Sequence, residues 1–86
     1  MKRGLLEGLV DTKRLSLFVV LSKNPEKIFS LTEISNESKV PIATVMRLMR
    51  GFVENDLAEQ VKVGKIKLYK FAKNKKTDRL VGLING

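Results

Sequence analysis

The sequence predicts an α+β fold, helices first and a β-hairpin after them, and three observations predict it. Apolar residues recur at helical spacing as far as Phe52; the period then falls from 3.6 to 2 across AEQVKV and KIKLYKF; and Gly64-Lys65 separates those two runs as a two-residue turn. The 86 residues suit one domain, 1–86, with a single modest core and no room for a catalytic or sensor domain beside it.

The first helix is capped by Asp11 or Thr12, runs through KRLSLFVVLSKN and stops before Pro25, because a residue preceding proline avoids the helical region. Between Leu15 and Leu21 only Ser16 is polar, so Leu17, Phe18, Val19, Val20 and their neighbours cannot share one stripe. That helix is to be covered on more than one side. Leu5, Leu6, Leu9 and Val10 at one end of the chain, and Leu80, Val81, Leu83 and Ile84 at the other, are one candidate cover. A second copy of the chain is the other.

After a short extended piece at Lys27-Ile-Phe29 comes Ser30-Leu-Thr-Glu33, the spacing in which a serine hydroxyl caps the third amide of a helix and the glutamate reaches back to the cap. The second helix therefore starts near Leu31 and is short, since Lys39-Val40-Pro41 follows and proline fits only the first turn of a helix. Pro41 opens the third helix, which continues to about Asn55 or Asp56. The hairpin has a tight Gly-X turn at Gly64-Lys65, and a last helix from about Thr77 to Ile84 closes the chain. There is no internal repeat and no low-complexity tract.

Composition narrows the function. Seventeen Lys and Arg against nine Asp and Glu leave a net charge of +8, which points to an anionic partner, nucleic acid or an acidic membrane surface. With no cysteine and no histidine, disulfides, zinc sites of the usual ligand set, thiol nucleophiles and the common general base are all absent. The carboxylates are scattered, without a recognisable acid/base or metal spacing, so neither enzymatic activity nor a cofactor is expected. The longest near-continuous apolar run is far below the ~20 residues that span a bilayer, and MKRGLLEGLVD lacks a cleavage pattern. The protein is expected to stay where it is made, in the cytoplasm on the nucleoid of a prokaryote or on viral DNA. The lysines are spread over a hairpin rather than lined along one amphipathic helix, which disfavours the membrane.

The third helix divides cleanly. At 100° per residue with Thr44 at the origin, Val45, Leu48, Met49 and Phe52 fall between roughly 40° and 140°, and Ala43, Met46, Arg47, Arg50 and Glu54 between roughly 200° and 300°. Arg47 and Arg50 are thus outside and adjacent. A short capped helix, a tight turn and a helix opening with proline and small residues make a helix-turn-helix, whose second helix enters the major groove. Small residues at Ala43 and Thr44 let the backbone approach DNA, and the two arginines can reach guanine edges or phosphates.

SLTEISNESKVPIATVMRLMRGFVENDLAEQV resembles the DNA-binding region of winged-helix regulators of the IclR and MarR types, through Ser30, Leu31, Glu33, Ile34, Val40, Pro41, Thr44, Val45, Arg47, Leu48, Phe52 and Leu57. The resemblance covers about residues 15–72. It implies a winged helix-turn-helix: a three-helix core with a β-hairpin wing, plus terminal helices. Three positions depart from the pattern. Lys39 and Asp56 stand where the family usually has glycine, at a cost of about 1 kcal/mol for a lysine held at positive φ, and Ala43 replaces a polar residue. IclR-type proteins also carry a separate effector domain, for which this chain has no room.

The expected role is sequence-specific recognition of double-stranded DNA by a transcription regulator, as a repressor. The recognition helix, 41–55, would lie in the major groove and the wing, 58–71, on the backbone. Lys39, Ile42, Ala43, Thr44, Met46, Arg47 and Arg50 are the expected DNA-facing residues of the helix-turn-helix, with Lys62, Lys65 and Lys67 on the wing. Guarding of a strand edge is the other reading of the wing lysines, compatible with the favoured phosphate contact, and Tyr69 and Phe71 alternate onto the other face as core. A homodimer on a pseudo-palindrome, joined through Leu5, Leu6, Leu9, Leu17, Leu21, Leu80, Leu83 and Ile84, is expected in preference to a monomer folding its own ends over the core. No small-molecule ligand is evident. Nonspecific DNA binding and a protein-docking module are the alternative functions.

Overall fold

Local sequence rules account for most element boundaries in the computed structural model, which describes residues 12–85. The order is α1 (Thr12–Lys23), β1 (Ile28–Phe29), α2 (Leu31–Ser38), α3 (Ile42–Glu54), β2 (Ala58–Val63), β3 (Ile66–Phe71) and α4 (Lys75–Asn85). The strands form an antiparallel sheet in the order β1-β3-β2. The fold is α+β, with the three-helix core and hairpin of a winged helix-turn-helix.

α1 ends ahead of Pro25, and its Leu17, Phe18 and Leu21 are buried, with Val20 partly buried against the same core. Here one expectation fails. Leu17 and Leu21 are both 0% exposed. Their spacing of four places them on one helix face, and that face is buried in the core that α1 shares with α2 and β3 of the same chain, so neither has surface to offer a second copy. Leu5, Leu6 and Leu9, like the Asp11 cap, lie outside the described residues.

α2 opens with the expected reciprocal cap: the Glu33 amide donates to Ser30 Oγ at 3.1 Å and the Ser30 amide to a Glu33 carboxylate oxygen at 2.9 Å. Such a cap satisfies two amide donors that the first turn would otherwise leave open. The helix closes on Lys39 at φ 64, ψ 25, whose amide donates to the Ser35 carbonyl. This is the left-handed turn that sets α3 across α2.

α3 begins at Ile42, with Pro41 as the residue before its first turn. Its buried residues are Val45, Leu48, Met49 and Phe52, the predicted stripe. At its end Asp56 takes φ 60, while the Leu57 amide donates to the Phe52 carbonyl at 2.8 Å and the Asp56 amide to that of Val53 at 3.2 Å. Those two bonds form a Schellman closure, which turns the chain at once into β2.

In the hairpin Val63 faces Ile66 across Gly64-Lys65, with Gly64 at φ +62 and Lys65 not at positive φ. That pattern fits the Gly-X turn. Tyr69 and Phe71 are buried, and the Phe71 ring meets Phe18 edge-on at 5.7 Å.

α4 starts at Lys75, two residues before the expected Thr77. Asn74 is the reason: its side-chain oxygen accepts from the Thr77 amide at 2.9 Å, and Thr77 Oγ1 accepts from the Asn74 amide at 3.0 Å. Thr77, fully buried, also donates to the Ala72 carbonyl at 2.7 Å. A threonine that reads as a helix start in sequence is the third residue of the helix and the inner half of its cap.

Candidate nucleic-acid interface

The side of α3 opposite its core stripe is open. Ala43, Met46, Arg47, Arg50 and Glu54 are exposed, Ile42 is 46% and Met46 48% exposed, and Thr44 is half-buried. The predicted helix edge is therefore a surface, with two guanidinium groups among small and apolar side chains and the Glu54 carboxylate at its C-terminal end. Lys39 is exposed at the turn that precedes it.

The wing lysines Lys62, Lys65 and Lys67 are exposed as well. Lys70 differs: it is half-buried and lies 3.8 Å from Glu26. Lys73 also pairs with Glu26, and Lys27 reaches Glu33 and Glu37 at 3.7 Å each. The acidic side chains that form ion pairs thus serve the segment before β1, the start of α2 and the base of β3. Among the described residues Arg47, Arg50, Lys62, Lys65 and Lys67 form no ion pair. Their charge is left for something outside the chain.

Two carboxyl groups are held below their ordinary range. Hydrogen bonding from Lys73, and then its charge, lowers that of Glu26, and the Ser30 amide lowers that of Glu33. Both shifts belong to scaffolding contacts away from the recognition edge. Two basic residues of the Lys73–Lys76 segment also act in the scaffold, Lys73 on Glu26 and Lys76 through Nζ on the Asn55 carbonyl at 2.9 Å.

Among the described residues no cluster of His, Cys, Asp and Glu could hold a metal, and no helix is long and apolar enough to cross a membrane. Of the expected dimer residues, Leu80 and Ile84 are half-buried and Leu83 is 62% exposed. All three line a largely apolar groove of about 320 Å³ with Leu15, Phe18 and Phe52, and Arg14, Arg47 and Lys76 line it as well.

Compared with known protein families, residues 12–62 match the IclR helix-turn-helix domain. The chain belongs to that family. The match runs from the start of α1 through the helix-turn-helix into β2, so it contains the open edge of α3. An IclR-type helix-turn-helix is the DNA-binding domain of a transcription regulator, and that is the general function of this chain. No curated protein matches the chain. Sequence reasoning gave the wing lysines a role but none to the apolar pair at the wing tip, Val63 and Ile66, which are 57% and 61% exposed. The alternation of valine with lysine in VKV was the available signal.

Proposed function

We propose that the chain is a sequence-specific duplex-DNA binder acting as a repressor by occupying its site. α3 lies in the major groove, β2 and β3 lie on the adjacent backbone, and two copies bind a pseudo-palindrome. The observation that carries this is the α3 edge, where Arg47 and Arg50 are exposed and without ion pairs. Arginine reads guanine O6 and N7 with two donors at once, and apolar side chains such as Ile42 and Met46 suit thymine methyl groups. Thr44 and Ala43 keep the helix slim where it meets the groove. Lys39, Lys62, Lys65 and Lys67 supply phosphate contacts that fix register without reading sequence.

The open groove beside α4 supports a second copy. Its apolar lining has Leu83 at the surface, and a symmetric pair joined there would present two α3 helices roughly one turn of DNA apart, ~34 Å. The site of action is the cytoplasm, on the nucleoid.

Selection of bound sequences from a random duplex pool supplies a target; affinity for it and for random duplex is then measured across salt. Tighter binding to the selected duplex is expected at every salt concentration. Arg47→Ala and Arg50→Ala should each lose about 1–3 kcal/mol on the selected duplex where they read a base, or lower the salt slope by about 1 where they touch phosphate. Equal affinity for both duplexes would leave a nonspecific binder. Unchanged affinity in both arginine variants would favour a protein-docking module.

A further inference from the structure

We infer that the groove between α1, α3 and α4 is an effector site: it binds a monocarboxylate with an apolar body, and the bound carboxylate takes Arg47 away from DNA. The site lies within the winged-helix body, not in a separate domain. Its consequence for DNA rests on the reading of the chain as a duplex-DNA binder; the site itself does not.

The groove has the size and lining for a small molecule. Its volume of about 320 Å³ lies at the lower end of the range for ligand pockets, roughly 300–1,000 Å³. At ~30 Å³ for each water-sized group, that is room for about ten. The core residues Phe18, Leu48 and Phe52 form part of its wall, and Leu83 is exposed at it.

Gly51 marks the space left for an occupant. It lies inside α3, where glycine weakens a helix relative to alanine. Its backbone is not at positive φ, and an added Cβ would meet nothing within 4 Å. Neither local conformation nor packing within the described fold therefore requires glycine there. The missing side chain does leave room in the groove, since Gly51 lines it.

The charge of the wall has one sign. Arg14, Arg47 and Lys76 line the groove, and no carboxylate among the described residues does. Lys76 Nζ donates to the Asn55 carbonyl at 2.9 Å, whereas Arg47 has no ion pair among the described residues. An apolar molecule that carries an anion matches both features. A guanidinium can hold a carboxylate or a phosphate with two parallel hydrogen bonds, but a phosphate brings a charge of about −1.5 to −2, which costs more to take out of water beside apolar walls. A carboxylate, with its single charge, is the better fit.

Arg47 couples this site to the recognition edge. With Thr44 at the origin, Arg47 stands at roughly 300° around α3, Gly51 at roughly 340° and Asn55 at roughly 20°, while Arg50 stands at roughly 240°. The groove thus follows the flank between the core stripe and the exposed edge, with Arg47 on the border and Arg50 outside it. A guanidinium whose fork is held by a carboxylate has no second fork for guanine or phosphate. The two ligands are antagonists, and by linkage each weakens the other by the same factor. The carboxylate also contends with a second copy for Leu83, so the effect through Arg47 is read on a single half-site.

The test titrates the full chain by calorimetry with octanoate, and with 1-octanol, octylammonium and acetate beside it. Octanoate should bind at a single site, octanol at least about tenfold more weakly, and octylammonium and acetate not measurably. On a duplex with a single half-site from the selected target, saturating octanoate should lower affinity about tenfold, and the half-site should lower octanoate affinity by the same factor. Arg47→Gln should bind octanoate no better than octanol and lose the antagonism; Arg50→Gln should keep both. Gly51→Leu, whose melting curve verifies the fold, should no longer take up octanoate. Equal affinity for octanoate and octanol, uptake that survives Gly51→Leu, or a half-site affinity that octanoate leaves unchanged overturns the inference. So does an absence of uptake: with wild type sedimenting as a dimer, it would assign the groove to a second copy, and with uptake restored in Leu5→Ser/Leu6→Ser/Leu9→Ser, to the chain's own N-terminal segment. A chain that takes up octanoate and binds no duplex would be a different failure, that of the DNA-binding reading itself.

Discussion

Lys39 and Asp56 occupy the two left-handed turns that bracket α3, at φ 64 and φ 60. A side chain there meets the following carbonyl at about 1–2 kcal/mol, which glycine avoids while losing about 0.5–1 kcal/mol of chain entropy. Lys39 makes no ion pair that glycine would forfeit, and it is exposed. Lys39→Gly should therefore raise stability by up to about 1 kcal/mol, read as a higher denaturant midpoint at unchanged slope. Aspartate tolerates this region better, so Asp56→Gly should gain less. A lower midpoint for Lys39→Gly would show that the lysine supports the turn in some other way. Both strained positions were legible in the sequence, because each replaces a glycine expected from the resemblance. Thr77 was not. Its burial depends on Ala72 and Asn74 lying against it, and no periodicity in KNKKTDRL announces that.

At the scale of elements, α3 was the most legible, since one helix that is apolar on one side and basic on the other specifies its own orientation. α2 was legible through its cap, and that cap makes a prediction about pH. The Ser30 amide holds the Glu33 carboxyl below its ordinary value of 4.5. A carboxyl lowered in the folded state contributes stability that is complete above its unfolded value and is lost as pH falls through the lowered one. Glu33→Gln keeps an acceptor for the Ser30 amide but cannot titrate. Followed by urea unfolding from neutral pH down to about pH 3, wild type should lose more stability than Glu33→Gln, with the gap opening below the ordinary carboxylate range. Parallel loss in both would mean that the cap does not hold the carboxyl in its charged form. Glu26, lowered mainly by its bond to Lys73, titrates in both proteins and cancels from the difference.

For the molecule as a whole, composition revealed the charge excess but not its segregation. The ion pairs gather around Glu26, Glu33 and Glu37, while Arg47 and Arg50 on α3 and the lysines of the wing tip form none among the described residues. Folding sorts them, setting Glu26 against Lys70 and Lys73 and the α2 residues Glu33 and Glu37 against Lys27. Oligomeric state was the least legible property. Leu17 and Leu21 look like spare apolar surface when α1 is read alone, yet both are core, since a helix in a three-helix body is contacted from several sides at once. Interface candidates among the described residues come down to Leu80, Leu83 and Ile84, and Leu83 is the one whose loss leaves the core intact. Leu83→Glu should leave the melting temperature nearly unchanged and convert a sedimenting dimer to a monomer, because the carboxylate interrupts the apolar strip that Leu80, Leu83 and Ile84 offer a second copy and must be desolvated on association. On a palindromic duplex the variant should then bind about a hundredfold more weakly, having lost the linked second half-site, while its affinity for a single half-site stays as in wild type. If wild type itself sediments as a monomer at concentrations that saturate its DNA, the groove beside α4 is no contact between copies, and the pseudo-palindrome goes with it.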